Sequence, residues 1–150
     1  MESRAEFSIG QSASLTRTVT AEEVETFARA TGDNNPVHLD EAYASRTRFG
    51  RRIAHGMLIA SYISALLGSK FPGPGTIYMS QALKFLRPVF LGDEVTVTVT
   101  VTAYRPERAI LTLDAAVRNK RGDLVLAGEA VCLVEDIVAP AARVSGAAAG

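Results

Sequence analysis

The order and spacing of the apolar residues predict an α+β fold in which an antiparallel sheet covers a buried helix. Two helical patterns come first along the chain, and a run of strand patterns follows them. The second helical pattern is apolar on nearly every side, which is typical of a helix inside the core. Alternating valines and threonines over residues 94–103 give the clearest strand signal. Because a buried helix needs a covering layer, these observations together predict a helix packed on a sheet.

The first part of the chain has clear signals for one strand and one helix. Residues 12–19 alternate loosely and predict a first strand. Thr20 and Glu23 have the spacing of a capping box, so a helix is expected to begin here. The apolar face of this helix ends near Gly32, a residue type that favours a helix C-terminus.

The remaining elements follow from apolar runs between turn residues. Residues 33–54 are expected to be irregular, apart from a short helix over residues 41–45 that Asp40 starts. The apolar run 56–69 predicts the buried helix. Strands are predicted over residues 77–86, 94–103, 109–118 and 124–134.

The composition is that of an ordinary globular protein and excludes several classes of function. The 150 residues include 16 Lys and Arg and 16 Asp and Glu, so no electrostatic case exists for nucleic acid or an anionic membrane as a partner. The longest apolar run is too short to span a bilayer, and residues 1–10 do not resemble a secretory signal. The single Cys132 fits a reducing compartment, and we expect a cytoplasmic protein. Residues 1–138 are expected to form one domain, and residues 139–150 a disordered tail.

The most informative stretch for function is residues 31–38, TGDNNPVH. Asn35 precedes Pro36 and is therefore pushed toward an extended backbone, so the segment is expected to fold back as a loop. Asp33 and His38 would then converge, and a carboxylate beside an imidazole can move a proton on and off a substrate near neutral pH. Asp33 also follows a helix C-terminus. If the loop desolvates its carboxylate, its pKa should rise toward that of a useful base.

Gly56 is predicted to begin the buried helix and to bind an oxyanion. The first backbone N–H groups of a helix have no acceptor within it and carry the positive end of its dipole, so they can stabilise a carbonyl that gains negative charge. The neighbouring His55 is expected to be structural rather than catalytic. His38, His55 and a carboxylate could in principle supply three metal ligands, but two histidines in the whole chain make a metal site unfavourable, and none is predicted.

Several polar residues keep two interpretations each. Asn35 either holds the loop by a hydrogen bond or is an ordinary turn residue before proline. Ser64 either bonds back to its own helix or faces a ligand cavity. Four arginines either form a solvated surface or meet the phosphates of a charged carrier, and these are Arg46, Arg48, Arg51 and Arg52.

The motif residues resemble the signature of the MaoC-like hydratases, the hydratase 2 group. The resemblance rests on the Gly-Asp-x-Asn-Pro-x-His pattern of residues 32–38, on HGML at residues 55–58 and on PVFLGD at residues 88–93. It covers roughly residues 8–135 and is strongest for the short (R)-specific enoyl-CoA hydratases of bacteria. It implies a hot-dog fold, with an antiparallel sheet wrapped around a long helix and an overhanging catalytic segment, and a homodimer joined through sheet edges.

The resemblance also implies a reaction and the residues that perform it. The reaction is syn hydration of a trans-2-enoyl-CoA to a (3R)-3-hydroxyacyl-CoA, and its reverse, without a metal or redox cofactor. By position, Asp33 and His38 hold and activate the water, and the Gly56 N–H binds the thioester oxygen. Such enzymes can supply (R)-hydroxyacyl units for polyhydroxyalkanoate. The end of the acyl pocket would be lined by Ser64, Leu67 and Cys132, and Asn35 is a further predicted substrate-binding residue.

Three other functions remain open from the sequence. The first is the same chemistry on an acyl carrier protein, as in a (3R)-hydroxyacyl-ACP dehydratase. The second is a hot-dog thioesterase, which would need a carboxylate on the buried helix, and residues 56–69 contain no Asp or Glu. The third is a non-catalytic acyl-binding subunit, which would have little reason to retain both Asp33 and His38.

Overall fold

The computed structural model describes residues 5–137. Its helices are α1 (Ala21–Thr31), α2 (Pro36–Leu39), α3 (Glu41–Ser45) and α4 (Gly56–Ser69), and its strands are β1 (Ser12–Thr18), β2 (Ile77–Phe85), β3 (Glu94–Arg105), β4 (Ile110–Asn119) and β5 (Leu124–Leu133). The strands form one antiparallel sheet in the order β1-β3-β4-β5-β2. The predicted α+β architecture and the hot-dog arrangement of sheet and helix are confirmed. The predicted tail, residues 139–150, lies outside the described residues.

Helix α1 begins and ends where local sequence signals predict, with one difference at its start. The Glu23 N–H donates to the Thr20 hydroxyl at 3.1 Å, and Gly32 ends the helix at a positive φ of 84°. The reciprocal half of the predicted capping box is absent among the described hydrogen bonds, because the Glu23 carboxylate accepts instead from the Tyr62 hydroxyl at 2.8 Å. Glu23 therefore ties α1 to α4.

Strand β3 shows why the alternating pattern predicts a half-buried strand. Its four valines are at most 1% exposed and face the core. The alternate threonines face outward, where Thr96 and Thr98 form hydroxyl hydrogen bonds of 2.9 Å with Thr16 and Ser14 of β1. Burying each valine side chain contributes roughly 1.5–3 kcal/mol relative to leaving it exposed. The sheet is thus a rigid base for the elements above it.

Helix α4 is buried over most of its surface, as predicted, but one side of it is exposed. The exposed stripe consists of Met57, Ser61, Ser64 and Gly68, which share one helical face. Two serines that interrupt the apolar pattern, Ser61 and Ser64, lie on this stripe. Within residues 5–137, no helix is long and apolar enough to cross a membrane.

Strand β2 lies at one edge of the sheet and exposes large apolar side chains. Ile77, Met79 and Phe85 are each more than half exposed, and Leu86 immediately after the strand is nearly so. Its inner edge pairs with β5, which leaves the outer edge without a strand partner in the described chain. An open, apolar edge strand is a surface that favours pairing with another chain.

Candidate active site

The loop between α1 and α3 folds back as predicted, through three local devices. Gly32 turns the chain out of α1, and the Asp33 N–H then donates to the Thr31 hydroxyl at 3.2 Å. The Asn35 side chain accepts from the Val37 N–H at 3.2 Å and caps α2, with Pro36 at the first helical position. Helix α2 is only four residues long and was not predicted from the sequence. It holds His38 close to Asp33. An Asp33 carboxylate oxygen, a His38 ring nitrogen and a His55 ring nitrogen all lie within 4.8 Å of one another.

His38 is buried and is held as a base. Its Nδ1 lies 2.8 Å from the Ile53 carbonyl oxygen, which can only accept, so Nδ1 carries the proton and Nε2 keeps a free lone pair. Burial lowers the His38 pKa most strongly, and the nearby His55 lowers it further. The Ile53 carbonyl and Asp33 act in the opposite direction but leave the pKa below its ordinary value. His38 is therefore neutral at neutral pH.

Asp33, in contrast, is exposed in the described chain. The loop therefore does not desolvate the Asp33 carboxylate in the described chain. The Asp33 carboxylate has one weak contact, accepting from the Asn35 N–H at 3.4 Å. The carboxylate is thus free to meet a substrate or water.

His55 lies between two rings directly behind the loop. Its ring stacks on His38 at a centroid distance of 3.9 Å and lies 4.9 Å from Phe27. Its Nε2 donates to the Asp33 backbone carbonyl at 3.1 Å. Among the described residues, its Nδ1 is buried without a hydrogen-bond partner.

Gly56 is the first residue of α4, and its lack of a side chain leaves room for the Phe85 ring. A Cβ atom at this position would lie 2.7 Å from two atoms of the Phe85 ring. The helix cap residue, His55, makes no side-chain hydrogen bond to the first turn. The Leu58 N–H donates to the His55 backbone carbonyl at 3.1 Å, whereas the Gly56 N–H has no acceptor among the described hydrogen bonds.

One cavity of about 430 Å³ brings these groups together. Asp33, His38 and Gly56 all line it, which is the convergence that the sequence predicts. The volume lies within the usual range for small-molecule sites. Most of the wall is apolar, and this part consists of Phe49, Ile53, Ala54, Met57, Ile59, Phe85, Leu86, Pro88, Val89, Val125 and Leu126.

Two arginines add positive charge to the cavity wall. Arg48 was among the predicted candidates, whereas Arg87 was not, although it immediately precedes the PVFLGD stretch. The other arginines have different roles: Arg51 lies over the Phe90 ring at 4.0 Å, and Arg52 donates to the His38 carbonyl at 2.7 Å. Arg46 is exposed and does not line the cavity.

The other predicted substrate-binding residues do not line this cavity in the described chain. Asn35 caps α2, and Ser64 lies on the exposed stripe of α4. Leu67 and Cys132 are at most 1% exposed within the core, and burial raises the Cys132 pKa to about 11, so its thiol is not ionised. Their assignment to an acyl pocket stays a prediction.

The Asp33, His38 and His55 cluster is compact enough to suggest a metal site, but its ring geometry is unsuitable. The two imidazoles are stacked with an interplanar angle of 30°, so their lone pairs lie in nearly parallel planes and cannot converge on one ion. One nitrogen of each ring is also committed to a backbone carbonyl. The arrangement suits proton transfer.

Comparison with known proteins gives consistent matches over most of the chain. A family model described as the MaoC like domain matches residues 5–120. An (R)-specific enoyl-CoA hydratase from Rhodospirillum rubrum is 49% identical over 125 residues, which cover 83% of this chain and 86% of the relative. The solved (R)-hydratase from A. caviae, described as involved in PHA biosynthesis, is similar with a TM-score of 0.83 and 48% identity, covering 85% of this chain and 97% of that chain. An R-hydratase from Pseudomonas aeruginosa is similar with a TM-score of 0.84 and 39% identity, covering 97% and 94% of the two chains.

Proposed function

The chain belongs to the MaoC-like domain family, and we propose that it is an (R)-specific enoyl-CoA hydratase. The reaction is syn addition of water to a trans-2-enoyl-CoA to give a (3R)-3-hydroxyacyl-CoA, together with the reverse dehydration. The observation that carries this proposal is that Asp33, His38 and Gly56 line one largely apolar cavity. That combination supplies a proton-transfer pair, an oxyanion donor and space for an acyl chain.

Asp33 and His38 are proposed to hold the attacking water between them. One of the two takes a proton from the water as its oxygen adds to Cβ, and a proton is then delivered to Cα. Both groups project from one short loop, which supports addition of the two parts of water to the same face of the double bond. Either assignment of the two proton transfers to Asp33 and His38 is compatible with this geometry.

The Gly56 N–H is proposed to stabilise the enolate. As water adds to Cβ, negative charge develops on the thioester oxygen, and the N-terminus of α4 offers a backbone donor together with the positive end of the helix dipole. The thioester itself acidifies Cα. This chemistry therefore needs no metal or redox cofactor.

Coenzyme A is the proposed carrier. Arg48 and Arg87 at the cavity are suited to phosphate groups, because guanidinium binds phosphate in a bidentate manner. The alternative is the same reaction on an acyl carrier protein, and comparing activity on matched CoA and carrier-protein thioesters separates the two. A thioesterase is disfavoured because α4 has no carboxylate.

We also propose that the protein is a homodimer, paired through β2 and the exposed stripe of α4. The apolar edge of β2 and the small residues of the stripe support this arrangement. Sedimentation equilibrium should give twice the chain mass of 16.0 kDa. Met79→Lys in β2 should shift the equilibrium toward the single chain, whereas a wild-type protein of 16.0 kDa would contradict the proposal. The cytoplasmic location and a role in supplying polyhydroxyalkanoate precursors stay predictions.

The proposed reaction is tested by incubating the protein with crotonyl-CoA and following the loss of the conjugated enoyl absorbance. The configuration of the product is then determined with an (R)- or an (S)-specific 3-hydroxyacyl-CoA dehydrogenase. Oxidation of the product by the (R)-specific enzyme alone is the expected result. An (S) product, or free CoA without hydration, would contradict it.

A further inference from the structure

His55 is buried beside the catalytic pair, yet the proposed reaction gives it no role. Its side chain is 1% exposed, stacked between His38 and Phe27, and its Nε2–H reaches the Asp33 carbonyl. A buried polar ring in this place costs desolvation free energy unless its contacts compensate. The contacts of His55 are with both members of the catalytic pair, Asp33 and His38.

His55 is the last residue of a short segment, residues 52–55, which we call the strip. This segment forms hydrogen bonds to the catalytic loop of residues 33–38. Arg52 donates to the His38 carbonyl at 2.7 Å, and the Ile53 N–H donates to the Val37 carbonyl at 3.3 Å. On its other edge the strip is joined to residues 89–90, through the Ala54 N–H to the Val89 carbonyl at 2.7 Å and a bridge between Ile53 and Phe90. The strip therefore fixes the loop to the body of the molecule.

Within this strip, His55 alone bonds to the Asp33 end of the loop. The other described hydrogen bonds of Asp33 are local, to Thr31 at 3.2 Å and to Asn35 at 3.4 Å. Because Asp33 is exposed, packing does not hold it. The 3.1 Å bond from His55 is thus the one described link between Asp33 and a distant segment.

We propose that His55 is a positioning residue that sets the distance between Asp33 and His38, chiefly through its hydrogen bond to the Asp33 backbone beside the His38 ring. This inference rests on the proposed hydratase function. A carboxylate that drifts from its place by about 1 Å can lower turnover by up to about a hundredfold, since the reacting groups must be aligned. His55 also lines the cavity, but its side chain is only 1% exposed, and the proposal gives it no contact with the reacting atoms.

Two substitutions separate the hydrogen bond from the ring. His55→Phe keeps a flat ring between His38 and Phe27 but has no donor. His55→Gln places an amide N–H near the position of Nε2 but has no ring. Tyr62→Phe is the matched control, because it removes a part-buried hydrogen bond between α4 and Glu23, away from the cavity.

Steady-state kinetics with crotonyl-CoA provide the first readout. His55→Phe should lower kcat by about tenfold or more and leave KM within about twofold, because positioning acts on the chemical step. His55→Gln should regain most of the lost kcat, and Tyr62→Phe should retain the wild-type kcat. An unchanged kcat in His55→Phe, or equal losses in both His55 variants, would overturn the inference.

Amide hydrogen exchange over residues 33–38 provides a second readout that does not depend on activity. Protection should fall in His55→Phe and remain in His55→Gln and Tyr62→Phe, because only the first variant loses the bond to Asp33. Unchanged protection in His55→Phe would overturn the inference, whether or not the wild type hydrates crotonyl-CoA. A wild type without hydratase activity whose loop loosens only in His55→Phe would instead count against the proposed function alone.

Discussion

Strand β3 and the catalytic loop of residues 33–38 are held in place by opposite means. The strand buries its valines completely and pairs with a strand on each side. The loop exposes Asp33 and is fixed by a helix cap, a short helix and the hydrogen bonds of residues 52–55. The difference indicates that apolar burial stabilises the sheet, while hydrogen bonds hold the loop and leave Asp33 open to a substrate.

The largest expected effect comes from the catalytic pair. Asp33→Asn and His38→Gln should each lower kcat with crotonyl-CoA by at least about a hundredfold, because each removes a proton-transfer group. Thermal unfolding should change little for Asp33→Asn, since its carboxylate is exposed. Full activity in either variant would remove that residue from the mechanism.

A matched change in β3 completes this comparison. Val99→Ala removes two buried carbon atoms from a residue with no exposed surface and should cost about 2 kcal/mol of unfolding free energy. Its kcat should remain that of the wild type below the unfolding transition. A large loss of kcat in Val99→Ala would show that activity and stability are not separated as proposed.

A smaller loss of kcat is expected for a substitution at Gly56, which lines the cavity at the start of α4. Gly56→Ala retains the backbone N–H but forces its methyl group against the Phe85 ring, so kcat should fall by about tenfold as the donor moves. Phe85→Ala in the same chain removes the obstacle and should restore part of the activity. If Gly56→Ala alone has the wild-type kcat, close packing against Phe85 is not required.

The pH profile tests whether the environment of His38 tunes it as a base. Burial holds its pKa below the ordinary value of 6.5, and only the unprotonated ring can accept a proton. The kcat/KM for crotonyl-CoA should therefore stay high from neutral pH down to pH 6.5, and it should decrease only at pH values lower than 6.5. Since Asp33 acts to raise this pKa, Asp33→Asn should move any residual acidic limb to lower pH. An acidic limb above pH 6.5 in the wild type would contradict this account.

The smallest expected effect concerns the acyl chain. Leu67→Ala should improve activity on longer enoyl-CoA substrates relative to crotonyl-CoA, if this residue limits the acyl pocket. Leu66→Ala is the control, because this neighbour is equally buried and has no predicted role at the pocket. Both variants should lose about 2–5 kcal/mol of unfolding free energy. The same substrate ratio in both variants would reject the assignment of Leu67.

The sequence predicts those features that depend on neighbouring residues. Thr20, Gly32 and Asp40 act within one turn of the backbone, so the helix ends that they set were predictable. Phe85 and Val125 reach the cavity from β2 and β5, and Arg87 from the segment after β2, and nothing local indicates that they meet there. The exposed face of α4 was missed because small residues such as Ser64 and Gly68 are compatible with either a core or an interface.

The most direct test of the central claim is a crystal structure of the Asp33→Asn variant with crotonyl-CoA bound. The account predicts the thioester oxygen about 3 Å from the Gly56 nitrogen, within hydrogen-bond distance, and Cβ facing a water molecule between residue 33 and His38. A thioester bound elsewhere, or a Cβ that faces away from these two residues, would contradict the claim that they act together on one water.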